Sequence, residues 1–184
     1  MVAGSNPAGG FSIIVMRCSI LLWTLFIDLD KTVWDHFDAS ILYRPFKLYN
    51  RNCIIDSHGE KLCLYEGARA FLDFCKRNNF IISSLSWNRY SVTKEIMDLL
   101  GITKYFDYLF NKLCPLKNET LIQAIEIIKK NYALECYPKI IYIDDQRKYY
   151  DLIKNTLKEI YFIHIWIDIG SYEELIKYVK SLVN

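Results

Sequence analysis

The sequence is sparing with the residues that interrupt regular structure. Its 184 residues include only 7 glycines and 4 prolines, which excludes collagen-like and linker-rich classes. Histidine is also scarce. His36, His58 and His164 stand far apart, and no two cysteines are spaced C-x-x-C, so a structural zinc site is not expected. Net charge is nearly absent: 23 basic residues against 21 acidic ones leave +2, poor grounds for nucleic acid or an anionic membrane as partner. A long apolar run is missing as well. Phe11 to Ile27 is broken by Arg17 and ends in Asp28-Leu29-Asp30, so it reads neither as a signal peptide nor as a membrane span.

What is present suits one globular domain. Hydrophobic residues make up 52% and charged residues 24%, enough for a large core. A chain that can bury such a core does not need disulfide staples. Cys18, Cys53, Cys63, Cys75, Cys114 and Cys136 are therefore expected to be mostly buried thiols in a reducing, cytoplasmic compartment. Residues 1–10 are small, polar and aperiodic. With Met16 as a candidate start, residues 1–15 are expected to lie outside a single domain spanning 16–184.

From residue 64 onward, helical and strand patterns alternate. Ala68, Phe71, Leu72 and Cys75 share one helix face, as do Val92, Ile96, Leu99 and Leu100 before Gly101. Leu121, Ala124, Ile125 and Ile128 mark a third helix, and Leu152, Ile153 and Leu157 a fourth. Ser171 and Glu174 form a capping box for a last one. Short apolar strands fall at Ile20 to Ile27, Phe80 to Ser84, Tyr108 to Phe110, Lys139 to Ile143 and Ile160 to Ile165. Strands apolar on both faces, alternating with amphipathic helices, predict a three-layer α/β fold with a doubly wound parallel sheet. Between Val33 and Tyr65 the rhythm breaks. Cys53 to Asp56 and Lys61 to Tyr65 flank a Ser57-His58-Gly59-Glu60 turn, which predicts a short β-hairpin flap. That gap has no room for a large cap domain.

In such a sheet ligands bind beyond the carboxyl ends of the strands. Asp28-Leu29-Asp30-Lys31-Thr32 ends the first strand, serines 83, 84 and 86 cluster at the second, and Asp144-Asp145 ends a later one. Lys117 precedes a helix. Carboxylates gathered at one edge call for a cation, and an all-oxygen donor set suits Mg²⁺. At spacing i and i+2, Asp28 and Asp30 can approach one reacting centre from two directions, one as nucleophile and one as proton donor.

These elements, in this order, resemble the haloacid dehalogenase (HAD) superfamily. D-L-D-K-T-V-W at 28–34, I-I-D-S-H-G-E-K-L-C-L-Y-E-G at 54–67 and I-D-D-Q-R-K at 143–148 look like its magnesium-dependent phosphatase subfamily. The resemblance covers about residues 20–165. It implies Asp28 as nucleophile and Asp30 as general acid/base, with Asp28, the Asp30 backbone carbonyl and Asp144 holding Mg²⁺. It implies Ser84, the backbone N–H of Leu85 and Lys117 as phosphate ligands, Thr32 as support for the loop, and Asp145 either on the metal through water or orienting Lys117. The resemblance alone selects Ser84 over Ser83 and Ser86. The subfamily often carries Arg after its motif serine, a place taken here by Leu85, with Arg147 as a nearby substitute. Expected substrates are aryl phosphates, phosphotyrosine in a phosphoprotein among them, or sugar phosphates. A phosphotransferase and a non-catalytic phosphate-binding protein are the alternatives. Of the aromatic residues after the first motif, Trp34 is expected to touch substrate and most others to pack the flap.

Overall fold

The computed structural model describes residues 22–112, 116–134, 136–157 and 159–183. The expectations for residues 1–15 and Met16, and for Cys18 and Cys114, lie outside these residues. Five parallel strands form the central sheet: β1 (Trp23–Ile27), β5 (Ile81–Ser86), β6 (Tyr108–Asn111), β7 (Lys139–Asp144) and β8 (Ile160–His164). Their spatial order is β6-β5-β1-β7-β8, so β1 is central and its end is flanked by the ends of β5 and β7. All five residues of β1 are buried, as a strand covered on both faces requires.

Helices α1 (Ala68–Arg77), α2 (Tyr90–Leu99) and α5 (Tyr172–Val183) cover one face, and α3 (Lys117–Asn131) and α4 (Tyr150–Thr156) the other. Leu25, Ile27, Ile82, Ile141 and Ile143 point toward the first group; Phe26, Ile81, Leu85, Ile140 and Tyr142 point toward the second. The alternation is the strand's period of two. Ala68, Phe71, Leu72 and Cys75 bury one stripe of α1, each large side chain contributing about 1.5–3 kcal/mol. Gly101, at φ +63°, ends α2 and lets the Ile102 N–H donate back to the Met97 carbonyl. Gly67 is required for a different reason: a Cβ there would lie 2.8 Å from Tyr172 Cβ, where α5 starts against α1. The Glu174 N–H donates to Ser171 Oγ, half of the expected capping box, while the Glu174 carboxylate accepts from the Gly170 N–H.

Between β1 and α1 stand a 3-10 turn at Ala39–Ile41 and a separate antiparallel sheet of β2 (Lys47–Asn50), β3 (Cys53–Ile55) and β4 (Lys61–Cys63). The expected hairpin is β3–β4, and β2 is an additional edge strand. Its four residues are all exposed, so no buried face marked it in the sequence. Asp56 ties the turn, accepting from the N–H groups of Tyr43, His58 and Glu60.

The cysteines depart from expectation. Cys53 and Cys63 are direct cross-strand partners and form a disulfide. The hairpin places them side by side whatever the size of the core, and the inference of a reducing compartment loses its support. Cys75 is free and buried, as expected of a core thiol. Among the described residues no helix is long and apolar enough to cross a membrane.

Candidate active site

The ends of β1, β5 and β7 meet at a cleft of about 440 Å³ lined by Asp28, Asp30, Phe37, Asp38, Ser40, Ser86, Trp87, Asn88, Lys117 and Gln146. A larger groove of about 840 Å³ runs between the β2–β3 turn and α1, and neither Asp28 nor Asp30 lines it.

Asp28 is the first residue past β1. Its N–H donates to the Ile143 carbonyl, which keeps the backbone extended as far as the carboxylate. Lys117, the first residue of α3, places its ammonium 2.9 Å from Asp28 Oδ1 and 2.7 Å from Asp144 Oδ2. The Tyr142 hydroxyl also donates to Asp144 Oδ2, and the Gln146 N–H donates to Oδ1. Burial, opposed by Lys117 and reinforced by Asp144 and Asp30, pushes the Asp28 carboxyl up to about 7. Burial would lower the Lys117 pKa, but the two carboxylates more than reverse it and hold the ammonium charged. Burial and then Asp144 raise Asp145 to about 6, with Lys117 opposing.

Carboxylate oxygens of Asp28, Asp144 and Asp145 lie within 4.8 Å of one another. Asp145 Oδ1 is buried and accepts no hydrogen bond from the described residues. An all-carboxylate donor set with an unsatisfied buried oxygen fits a hard divalent cation such as Mg²⁺.

Asp30 faces the other side of the cleft. Its Oδ1 accepts from Trp34 Nε1 at 2.7 Å and the Ala39 N–H at 3.1 Å, and its Oδ2 from Asn88 Nδ2 at 2.8 Å. Burial raises its pKa against the pull of these three donors. Thr32 is buried as loop support: its hydroxyl accepts from the Asp145 N–H and its carbonyl from the Tyr172 hydroxyl, which ties the β1 loop to the ends of β7 and α5.

Asp28, Asp30, Lys117, Asp144 and Asp145 therefore converge. Lys117 is oriented by Asp28 and Asp144, not by Asp145. Ser84 and Leu85 do not reach the cleft. Strand β5 runs on to Ser86, so Ser84 pairs with Ile27, one residue short of Asp28, and its hydroxyl donates to Asn111 Oδ1. Leu85 sits within β5 with its side chain in the core. Ser86 is the strand-end serine, and the residue after it is Trp87. The Trp87 ring has Lys148 Nζ at 4.7 Å and Lys117 Nζ at 5.7 Å. Arg147 is turned to the Tyr150 ring and does not line the cleft. Trp34 is completely buried and holds Asp30, so it is not a substrate contact; Phe37, 66% exposed, occupies the rim instead. Asn88 and Gln146 carried no sequence signal beyond their nearness to the strand ends.

A model of the acid phosphatase family matches residues 23–175. No curated protein sequence matches the chain at a significant level. Among solved structures, the chain is similar to a HAD-superfamily hydrolase from Ehrlichia chaffeensis (15% identity, TM-score 0.59, covering 88% of this chain and 97% of that one). It is also similar to the HAD domain of the effector protein Lem4 from Legionella pneumophila (14% identity, TM-score 0.59, 90% and 100%). A third is the N-terminal part of a Bacteroides fragilis protein, containing a phosphatase domain and complexed with Mg (14% identity, TM-score 0.54, 87% and 39%). Such likenesses establish the fold, and the family match extends over the whole central sheet, including every strand end that lines the cleft. The chain belongs to the acid phosphatase family, on the fold of the HAD superfamily.

Proposed function

We propose that this acid phosphatase is a Mg²⁺-dependent phosphomonoester hydrolase that works through a phosphoryl group carried on Asp28. The observation that supports this most is the shared cleft: a buried carboxylate already paired with an ammonium on one side, and a second carboxyl, Asp30, held apart from that pair on the other.

The Asp28 carboxylate attacks phosphorus, the P–O ester bond breaks, and the leaving oxygen takes a proton from Asp30. Asp30 then takes a proton from water as that water attacks the same phosphorus. The acyl-phosphate P–O bond breaks, releasing inorganic phosphate and restoring both carboxyl groups. Lys117 has two N–H groups on carboxylates and a third for a phosphoryl oxygen. Ser86 takes the phosphate-binding role that the resemblance assigned to Ser84. Asp28, Asp144 and Asp145 would hold Mg²⁺, which supplies charge neutralisation between the phosphoryl group and the nucleophile.

The leaving group faces Phe37 and Trp87, an apolar rim that favours an aryl phosphate over a sugar phosphate. The only elements inserted before α1 are the short turn and small sheet, so the cleft is open to a phosphorylated side chain of a protein as well as to small molecules. The test is turnover of p-nitrophenyl phosphate with Mg²⁺. Asp28→Asn should abolish it, and EDTA should do so reversibly. Ordinary hydrolysis by the Asn variant would remove the mechanism.

A further inference from the structure

Asn88, two residues beyond β5 and 1% exposed, sits where the two sides of the cleft meet. Its hydrogen bonds can be followed atom by atom. Ser40 Oγ, in the turn that leads to the small sheet, donates to Asn88 Oδ1 at 2.7 Å and accepts from the Arg89 N–H at 3.4 Å. An ionised carboxylate only accepts, so Asp30 takes the Nδ2 end of the Asn88 amide and leaves Oδ1 to the Ser40 hydroxyl. Asn88 Nδ2 then lies 2.8 Å from Asp30 Oδ2 and 3.1 Å from Ser86 Oγ. An amide nitrogen carries two hydrogens and accepts none, so Asp30 and Ser86 must both accept.

Two consequences follow at named atoms. Asp30 Oδ1 already accepts from Trp34 and Ala39, and among the described residues Oδ2 accepts from Asn88 alone. The lone pair left on Oδ2 is therefore the seat of the transferable proton. Ser86 Oγ, having accepted from Asn88, keeps its own hydrogen for an acceptor in the cleft. We propose that Asn88 is a positioning residue for the phosphatase reaction. It aims the proton-bearing oxygen of Asp30 at the leaving group and makes the Ser86 hydroxyl a donor to the phosphoryl group, with Ser40 setting its orientation. This rests on the phosphatase reading above.

The test compares kcat/KM for p-nitrophenyl phosphate and p-methoxyphenyl phosphate, two substrates of similar size. The first leaves readily without a proton and the second does not. With Mg²⁺ present, Asn88→Ala should lose about tenfold more on the methoxy substrate than on the nitro one, the signature of a misplaced general acid. Ser40→Ala, which keeps the amide but frees its orientation, should shift the ratio in the same direction by a smaller factor. Equal losses on both substrates in Asn88→Ala would overturn the inference. Should that variant fail to fold, an unchanged ratio in Ser40→Ala would do the same. Absence of turnover of either substrate by the unaltered protein would instead overturn the phosphatase reading, and the inference with it.

Discussion

The Lys117 ammonium lies 2.9 Å from the Asp28 carboxylate, and both side chains are almost wholly withdrawn from water. A buried carboxylate without a counter-charge would be expensive, so Lys117 stabilises the Asp28 carboxylate before any other cation arrives. Removing one member of such a pair typically costs about 3–5 kcal/mol. We expect Lys117→Met to lower the melting temperature, and Mg²⁺ to raise it more in this variant than in the parent. Thermal unfolding with and without Mg²⁺ checks both; equal shifts would show that the lysine and the metal do not neutralise the same carboxylates.

Asp145 offers a buried side-chain oxygen in the acidic cluster that no described residue satisfies. Asp145→Asn keeps its size and removes its charge. Mg²⁺ affinity should fall about 10–100-fold, the range seen when a supporting metal contact is lost. Calorimetric titration of Mg²⁺ into each protein reads this directly, and unchanged affinity would exclude Asp145 from the metal's surroundings.

Ser84 and Ser86, both on β5, are expected to behave in opposite ways. Ser86→Ala should raise KM and the inhibition constant for inorganic phosphate by about tenfold, consistent with loss of about 1.4 kcal/mol from a hydrogen bond to a charged group. Ser84→Ala removes the bond to Asn111 and should lower stability by about 1 kcal/mol with little change in KM. A reversal of the two outcomes would restore Ser84 as the phosphate ligand.

Asp56 governs a pH effect remote from the chemistry. Burial alone would raise its pKa, but the N–H groups of Tyr43, Glu60 and His58 outweigh this and hold it below 3.8. A depressed carboxyl contributes stability that is fully present above its unfolded value and is lost as pH falls through the folded one. Stability of the unaltered protein should therefore fall below about pH 4 more steeply than that of Asp56→Asn, which cannot titrate. Urea unfolding across this range measures the difference. Parallel curves would mean that the turn does not depend on the ionised form.

Much of the fold was legible because its signals are local. The buried stripes of α1 and α3, the β-branched run of β7 and the acidic pair after β1 each depend on residues a few positions apart. Their periodicity is what a helix or strand must show to bury one face or two. Strand β2 left no such trace, since Lys47–Asn50 buries nothing. The Cys53–Cys63 disulfide follows from hairpin register, which core size does not reveal.

The strand-end serine shows where local reading stops. Three serines lie within four residues, and composition cannot say which one reaches the cleft; pairing with β6 carries β5 on to Ser86, which lines it. The same holds for Asn88 and Ser40, ordinary residues until long-range packing brings Asn88 against Asp30 and Ser40 against Asn88. Which side chains carry charge, and in what order along the backbone, is written in the chain itself, and that was enough to point to a phosphatase. Which donor meets which acceptor depends on strand register and loop closure, because hydrogen bonds a few tenths of an ångström from failure are set by the packing of segments far apart in sequence.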